Sequence, residues 1–207
     1  MSTARSGSGK LYRMLQPLIL ASASPRRSEM LGLMGLEFQV IPSGAEENGG
    51  VGRGGRDQVE VWAREKAAAV SKLNPNAWVL GADTVVVLDG KIFGKPADAS
   101  EAREMLKELS GRTHEVLSGV CLIHDESSLS KVQSVRTLVH FRDLHDREID
   151  AYVKTGEPLD KAGAYGIQGL GACLVRAVSG SYTNVVGLPL WETLSWLLEY
   201  GVIEPAD

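Results

Sequence analysis

Cysteine is scarce in this sequence: Cys121 and Cys173 stand far apart and match no zinc-binding spacing. Both read as small core residues of a chain kept in a reducing, intracellular compartment. Long apolar runs are missing too. None approaches the roughly 20 residues that a bilayer span needs, so a soluble, cytoplasmic chain without a membrane partner is expected. There is no excess of positive charge. At a formal net charge of −4 and a pI of about 5.6 the chain lacks the broad basic surface that nucleic acids favour, and no stable nucleic-acid partner is expected. Any polyanion must then be held in a local basic pocket. Several catalytic signatures are absent as well. There is no HExxH, CxxC or GxSxG, and His114, His124, His140 and His145 show no ligand spacing. The Gly9-Lys10 pair is not a P-loop, and the glycines of 163–171 do not make GxGxxG.

What is present is ordinary globular composition: 207 residues, 43% hydrophobic and 23% charged, enough to bury one sizeable core. Residues 1–16 begin Gly/Ser-rich and carry Arg5, Lys10 and Arg13 without an acid. They are expected to form a flexible extension, with organelle targeting left open. Residues 17–207 form the single domain.

Helical and strand periods interleave along that domain, which predicts an α/β fold with a mixed sheet. The run 17–21 reads as a buried strand. Ser24 as N-cap and Pro25 at the first helical position then start a helix that stops near Gly35. Residues 38–41 read as a strand, 42–57 as a mobile, glycine-rich loop, and 58–72 as a helix. The strand 78–88 turns at Asp89-Gly90 into 91–93, because Asp-Gly favours a tight hairpin. An amphipathic helix follows over 99–109, closed by Gly111. Strands are expected around 114–124, 132–142 and 172–178, with helices near 146–154 and over 190–200. The segment 160–171 reads as a tight glycine-rich loop.

Two local patterns carry chemistry. Arg26 and Arg27 lie in the first turn of a helix, whose positive end prefers acids. An anion held there by the arginines, Ser22 and Ser24 would explain the misfit, and two solvated arginines are the plainer alternative. Asp83 interrupts an apolar strand, where a carboxylate is costly unless paired, hydrogen-bonded or metal-bound. It can hold Mg²⁺ or orient a water, or it can be satisfied by backbone donors. Lys95 can supply a neutralising charge. Lys66, read from its helix alone, is a solvated lysine. Taken as an isolated carboxylate, Asp83 is expected to tolerate Asn with stability held or raised.

Together, LILASASPRRSEML (18–31), PSGAEE (42–47), AREKA (63–67), LGADTVV (80–86), GKP (94–96), MLKELSGRTHEV (105–116), GEPLDKAGAYGIQGLG (156–171) and NVVGLPL (184–190) resemble the Maf family of nucleoside triphosphate pyrophosphatases. The resemblance implies an elongated mixed α/β sheet flanked by helices with a deep cleft, similar to inosine triphosphate pyrophosphatases. It implies cleavage between the α and β phosphates with a divalent cation, Mg²⁺ or Mn²⁺. The family's proton acceptor falls on Asp83, and its substrate-selecting residues fall on Arg26, Thr84 and Gln168. Family cleft residues also match at Arg27, Glu47, Lys66 and Lys95, with Glu47 beside Asp83 as a candidate metal ligand. Thr84 and Gln168 resemble the members that act on dTTP and UTP, leaving modified pyrimidine nucleotides open. A 7-methyl-GTP specificity and a non-catalytic role in cell division are the rival readings. The resemblance leaves room for a homodimer.

Overall fold

The computed structural model describes residues 10–45 and 54–206. Glu47 and most of the glycine-rich stretch lie outside them. In chain order the elements are β1 (Tyr12–Met14), β2 (Leu18–Leu20), α1 (Pro25–Leu33), β3 (Gln39–Val40), α2 (Gly55–Ser71), β4 (Trp78–Leu88), β5 (Lys91–Phe93) and α3 (Ala99–Leu109). There follow β6 (Thr113–His124), β7 (Leu129–Phe141), α4 (Asp146–Lys154), β8 (Val175–Ser179), α5 (Tyr182–Val186), α6 (Leu190–Glu199) and β9 (Ile203–Pro205). Strand order is β3-β2-β4-β6-β7-β8, with β5 added to β4. Strand β2 runs parallel to β3 and β4 while the other pairs are antiparallel, so the sheet is mixed, as expected.

Alternation along β4 sorts the helices. Val79 packs in the cluster of α2's Ala63, Ala67 and Val70, and Val85 in that of Val59. Leu80 and Ala82 face α1 and α6, whereas Val86 and Leu88 face α3 and α4. One sheet face therefore carries α2, and the other carries two helical groups with Thr84 at the boundary between their cores. The hairpin forms as its sequence predicts, with Asp89 and Gly90 both at positive φ, 50° and 81°. Asp98 caps α3 by accepting from the Glu101 N–H at 2.8 Å.

Three expectations need correction, and one helix had no expectation. Residues 12–14, assigned to the flexible extension, pair as β1 with β9. Nothing in three residues signals a strand whose partner lies at the far end of the chain. Helix α2 starts at Gly55, inside the predicted loop, because the apolar period from Val59 begins one turn after the backbone becomes helical. The strand expected over 172–178 starts at Val175, after a 3-10 turn over Leu170–Leu174. Helix α5 is short, so its single turn carries no period to read.

Candidate active site

Strand β4 is 11 residues long, whereas the strands beside it on one edge are short. It pairs with β2 over 78–80 and with β5 over 86–88. Along that edge residues 81–85 have no strand partner among the described residues, and a notch opens in the sheet. The cleft, about 1100 Å³, lies there. Asp83 and Thr84 point to opposite sheet faces, yet a notch exposes both to one cavity. Ser22, Arg26, Arg27, Lys66, Lys95 and Gln168 line it as well. Every described residue singled out in the sequence thus meets in one place.

Helix α2 reaches Asp83 because two glycines let it down onto the sheet. A Cβ on Gly81 would sit 2.3 Å from the Ala63 carbonyl oxygen, and one on Gly119 would sit 2.1 Å from that of Val59. Gly119 is directly opposite Asp83 in the β4–β6 register. This close seat brings the Lys66 ammonium into an ion pair with the Asp83 carboxylate, their side chains 13% and 9% exposed. The costly carboxylate of β4 is therefore paired. Lys66 is not the solvated lysine that its helix alone would suggest.

On the other face Arg27 is buried and braced. Its Nε donates to the Gly187 carbonyl at 2.7 Å, Nη1 to Ser22 Oγ at 3.1 Å and Nη2 to Thr84 Oγ1 at 3.2 Å. The Thr84 hydroxyl also meets Ser118 Oγ at 2.8 Å, and Ser118 donates to the Asn184 carbonyl at 3.1 Å. Arg26 pairs with Asp160 at 2.7 Å, and Asp160 also accepts from Lys161 at 2.5 Å. Burial pushes the Asp160 carboxyl up, but these two cations hold it below its ordinary value.

Gln168 is exposed on the loop after α4, and Glu157 holds that loop. Its carboxylate accepts from the N–H groups of Leu170 at 2.9 Å and Gly171 at 3.0 Å, and from the Tyr152 hydroxyl at 2.9 Å. Burial raises the Glu157 pKa, yet the same donors bring it below the ordinary value. A further bond, Gly163 N–H to the Gly94 carbonyl at 3.0 Å, ties this loop to the turn bearing Lys95. Glu157, Asp160 and Lys161 were missed by sequence reasoning. Nothing in GEPLDKAG marks which charges fold inward.

Among the described residues no three His, Cys, Asp or Glu side chains gather as a metal cage. Mg²⁺ needs none, since it binds through one or two carboxylates, waters and substrate phosphates. Asp83, a carboxylate on the cleft floor, fits that donor set, and Glu47 lies outside the described residues. No described helix is long and apolar enough to cross a membrane.

The family model described as "Maf-like protein" matches residues 17–200. A dTTP/UTP pyrophosphatase of Desulfotalea psychrophila is 48% identical over 193 residues, covering 93% of this chain and 99% of the relative. One from Symbiobacterium thermophilum is 50% identical, covering 90% and 95%. One from Anaeromyxobacter dehalogenans is 53% identical, covering 89% and 94%. Among solved structures, a HAM1 protein from Coxiella burnetii superposes with a TM-score of 0.50 at 18% identity, over 90% of this chain and all of that one, a likeness of fold alone. By the span of the family match and the identity to these relatives, the chain belongs to the Maf-like protein family.

Proposed function

We propose that the chain hydrolyses dTTP and UTP to the monophosphate and pyrophosphate. The observation that carries the chemistry is the Lys66–Asp83 ion pair at the floor of a cleft large enough for a nucleotide. Relatives of about half identity named for this activity support the substrate.

In this reading the base lies against the Gln168 loop and Thr84, where an amide can both donate and accept toward a pyrimidine edge. The phosphates point toward Lys66 and Lys95. The sequence pattern placed them at Arg26 and Arg27 instead. Those guanidiniums are engaged by Asp160 and by Gly187, Ser22 and Thr84, whereas Lys95 makes no ion pair among the described residues, which favours the lysine wall. Asp83, with Glu47, would hold Mg²⁺ or Mn²⁺, which supplies neutralisation of phosphate charge and acidifies a water. Lys66 balances the Asp83 charge and fixes the direction of its carboxylate, and Asp83 either takes the proton of the attacking water or holds the metal that acidifies it. Lys95 stabilises negative charge on the departing phosphates. Positioning and electrostatics dominate, as in phosphoryl transfer generally.

A nucleotide panel with Mg²⁺ tests the proposal. Pyrophosphate and monophosphate released fastest from dTTP and UTP support it. No turnover of any nucleotide by folded, metal-loaded protein would overturn it, and a preference for 7-methyl-GTP would overturn the substrate assignment.

A further inference from the structure

Helix α2 offers the cleft more than Lys66. Gln58, Trp62 and Lys66 are spaced by four residues, so they form one stripe along the helix, and all three line the cavity. The first two are anomalous. Gln58 is 7% exposed, no hydrogen bond engages its amide among the described residues, and that amide is not sealed from the cleft. The indole nitrogen of Trp62 is buried and likewise has no partner among them. The floor beneath is apolar, made of Val59, Val85 and Leu117 with Ile92 alongside, so it provides no acceptor. The Trp62 N–H in such a setting loses its hydration unless a ligand completes it, and the Gln58 amide beside it is left without a partner among the described residues.

The chemistry of that wall selects the ligand. It offers amide and indole N–H donors, the Lys66 ammonium one turn further on, and Lys95 across the β4–β5 hairpin. Lys95 is exposed and makes no ion pair among the described residues. On the opposite wall Asp160 and Glu157 place carboxylates, which suit a base or sugar better than phosphate oxygens. We infer that Gln58 and Trp62 form a subsite for the two phosphoryl groups that leave as pyrophosphate, donating N–H bonds to their oxygens. This rests on the proposed hydrolysis for its physiological meaning, whereas the binding step can be measured alone.

Calorimetric titration of the full chain with inorganic pyrophosphate in Mg²⁺, with dTMP as the control ligand, tests the subsite. Gln58→Leu should weaken pyrophosphate binding about tenfold, the worth of one hydrogen bond to a charged acceptor. Its dTMP binding should stay within about twofold, and its melting temperature should hold, because no hydrogen bond within the described fold is lost. Trp62→Phe keeps an aromatic ring and removes the donor. It should show the same selective loss, and it serves if Gln58→Leu fails to fold. Unchanged pyrophosphate affinity in Trp62→Phe, or equal losses for dTMP and pyrophosphate, overturns the inference. Wild-type protein that binds pyrophosphate but turns over no nucleotide would refute the hydrolysis and leave the subsite standing.

Discussion

Removing either partner of the Lys66–Asp83 pair should separate stability from catalysis. Asp83→Asn leaves an ammonium that is 13% exposed facing a neutral amide. Breaking one side of a buried ion pair costs about 3–5 kcal/mol. Lys66 and Asp83 have other interactions beyond this pair, which soften the loss. We therefore expect the low end, about 3 kcal/mol. In a domain of this size that lowers the melting temperature by roughly 6–12 °C. The expectation from sequence, that Asn would be neutral or stabilising, assumed an unpaired carboxylate and is withdrawn. Lys66→Met should destabilise comparably. The double variant leaves no orphaned charge and should regain most of the lost stability, giving a coupling energy of about 2 kcal/mol or more. Catalysis should not recover with it. Turnover should fall by about two decades or more in Asp83→Asn, the scale of a lost general base, and stay there in the double variant. Thermal melts and initial rates on the three proteins suffice. Additive destabilisation, or a folded Asp83→Asn protein with normal turnover, would refute the reasoning.

Gly81→Ala should lift α2, since its Cβ meets helix backbone rather than a movable side chain, lowering both melting temperature and kcat; an unchanged kcat in folded protein would show that the seat of the helix does not set the pair. Gln168→Ala should reorder dTTP, UTP and purine triphosphates by kcat/KM, and an unaltered order would remove its base-reading role. His114 is buried against Phe141 and Tyr165, and desolvation, then His140, bring its pKa from 6.5 to about 4. The unfolded chain binds that proton first, so stability from this group is whole above pH 6.5 and is lost as pH falls toward 4, at most about 3 kcal/mol. Melting curves from pH 7 to 4 should show this fall, and it should shrink in His114→Gln.

Most of the frame was legible because the long elements carry strong signals: α3 has a clean helical period, and β4 and β6 are largely apolar runs bounded by turns, each read within a residue or two. Asp83 was legible for a physical reason, a carboxylate in an apolar strand that demands an explanation. The notch was not read, although its cause is in the sequence: an 11-residue strand beside short neighbours must leave an edge open. The Lys66 pairing stayed hidden because it depends on Gly81 and Gly119, whose meaning appears only when a helix crosses them. Gln58 and Trp62 were passed over because a single polar residue on an apolar helix face breaks no rule until its partners are counted.

The central claim is that water attacks the α-phosphorus of the nucleotide at the Lys66–Asp83 pair. Hydrolysis of dTTP in ¹⁸O-labelled water, with mass analysis of both products, tests it directly. The account predicts label in dTMP and none in pyrophosphate. Label in pyrophosphate, or release of orthophosphate with dTDP, would contradict it.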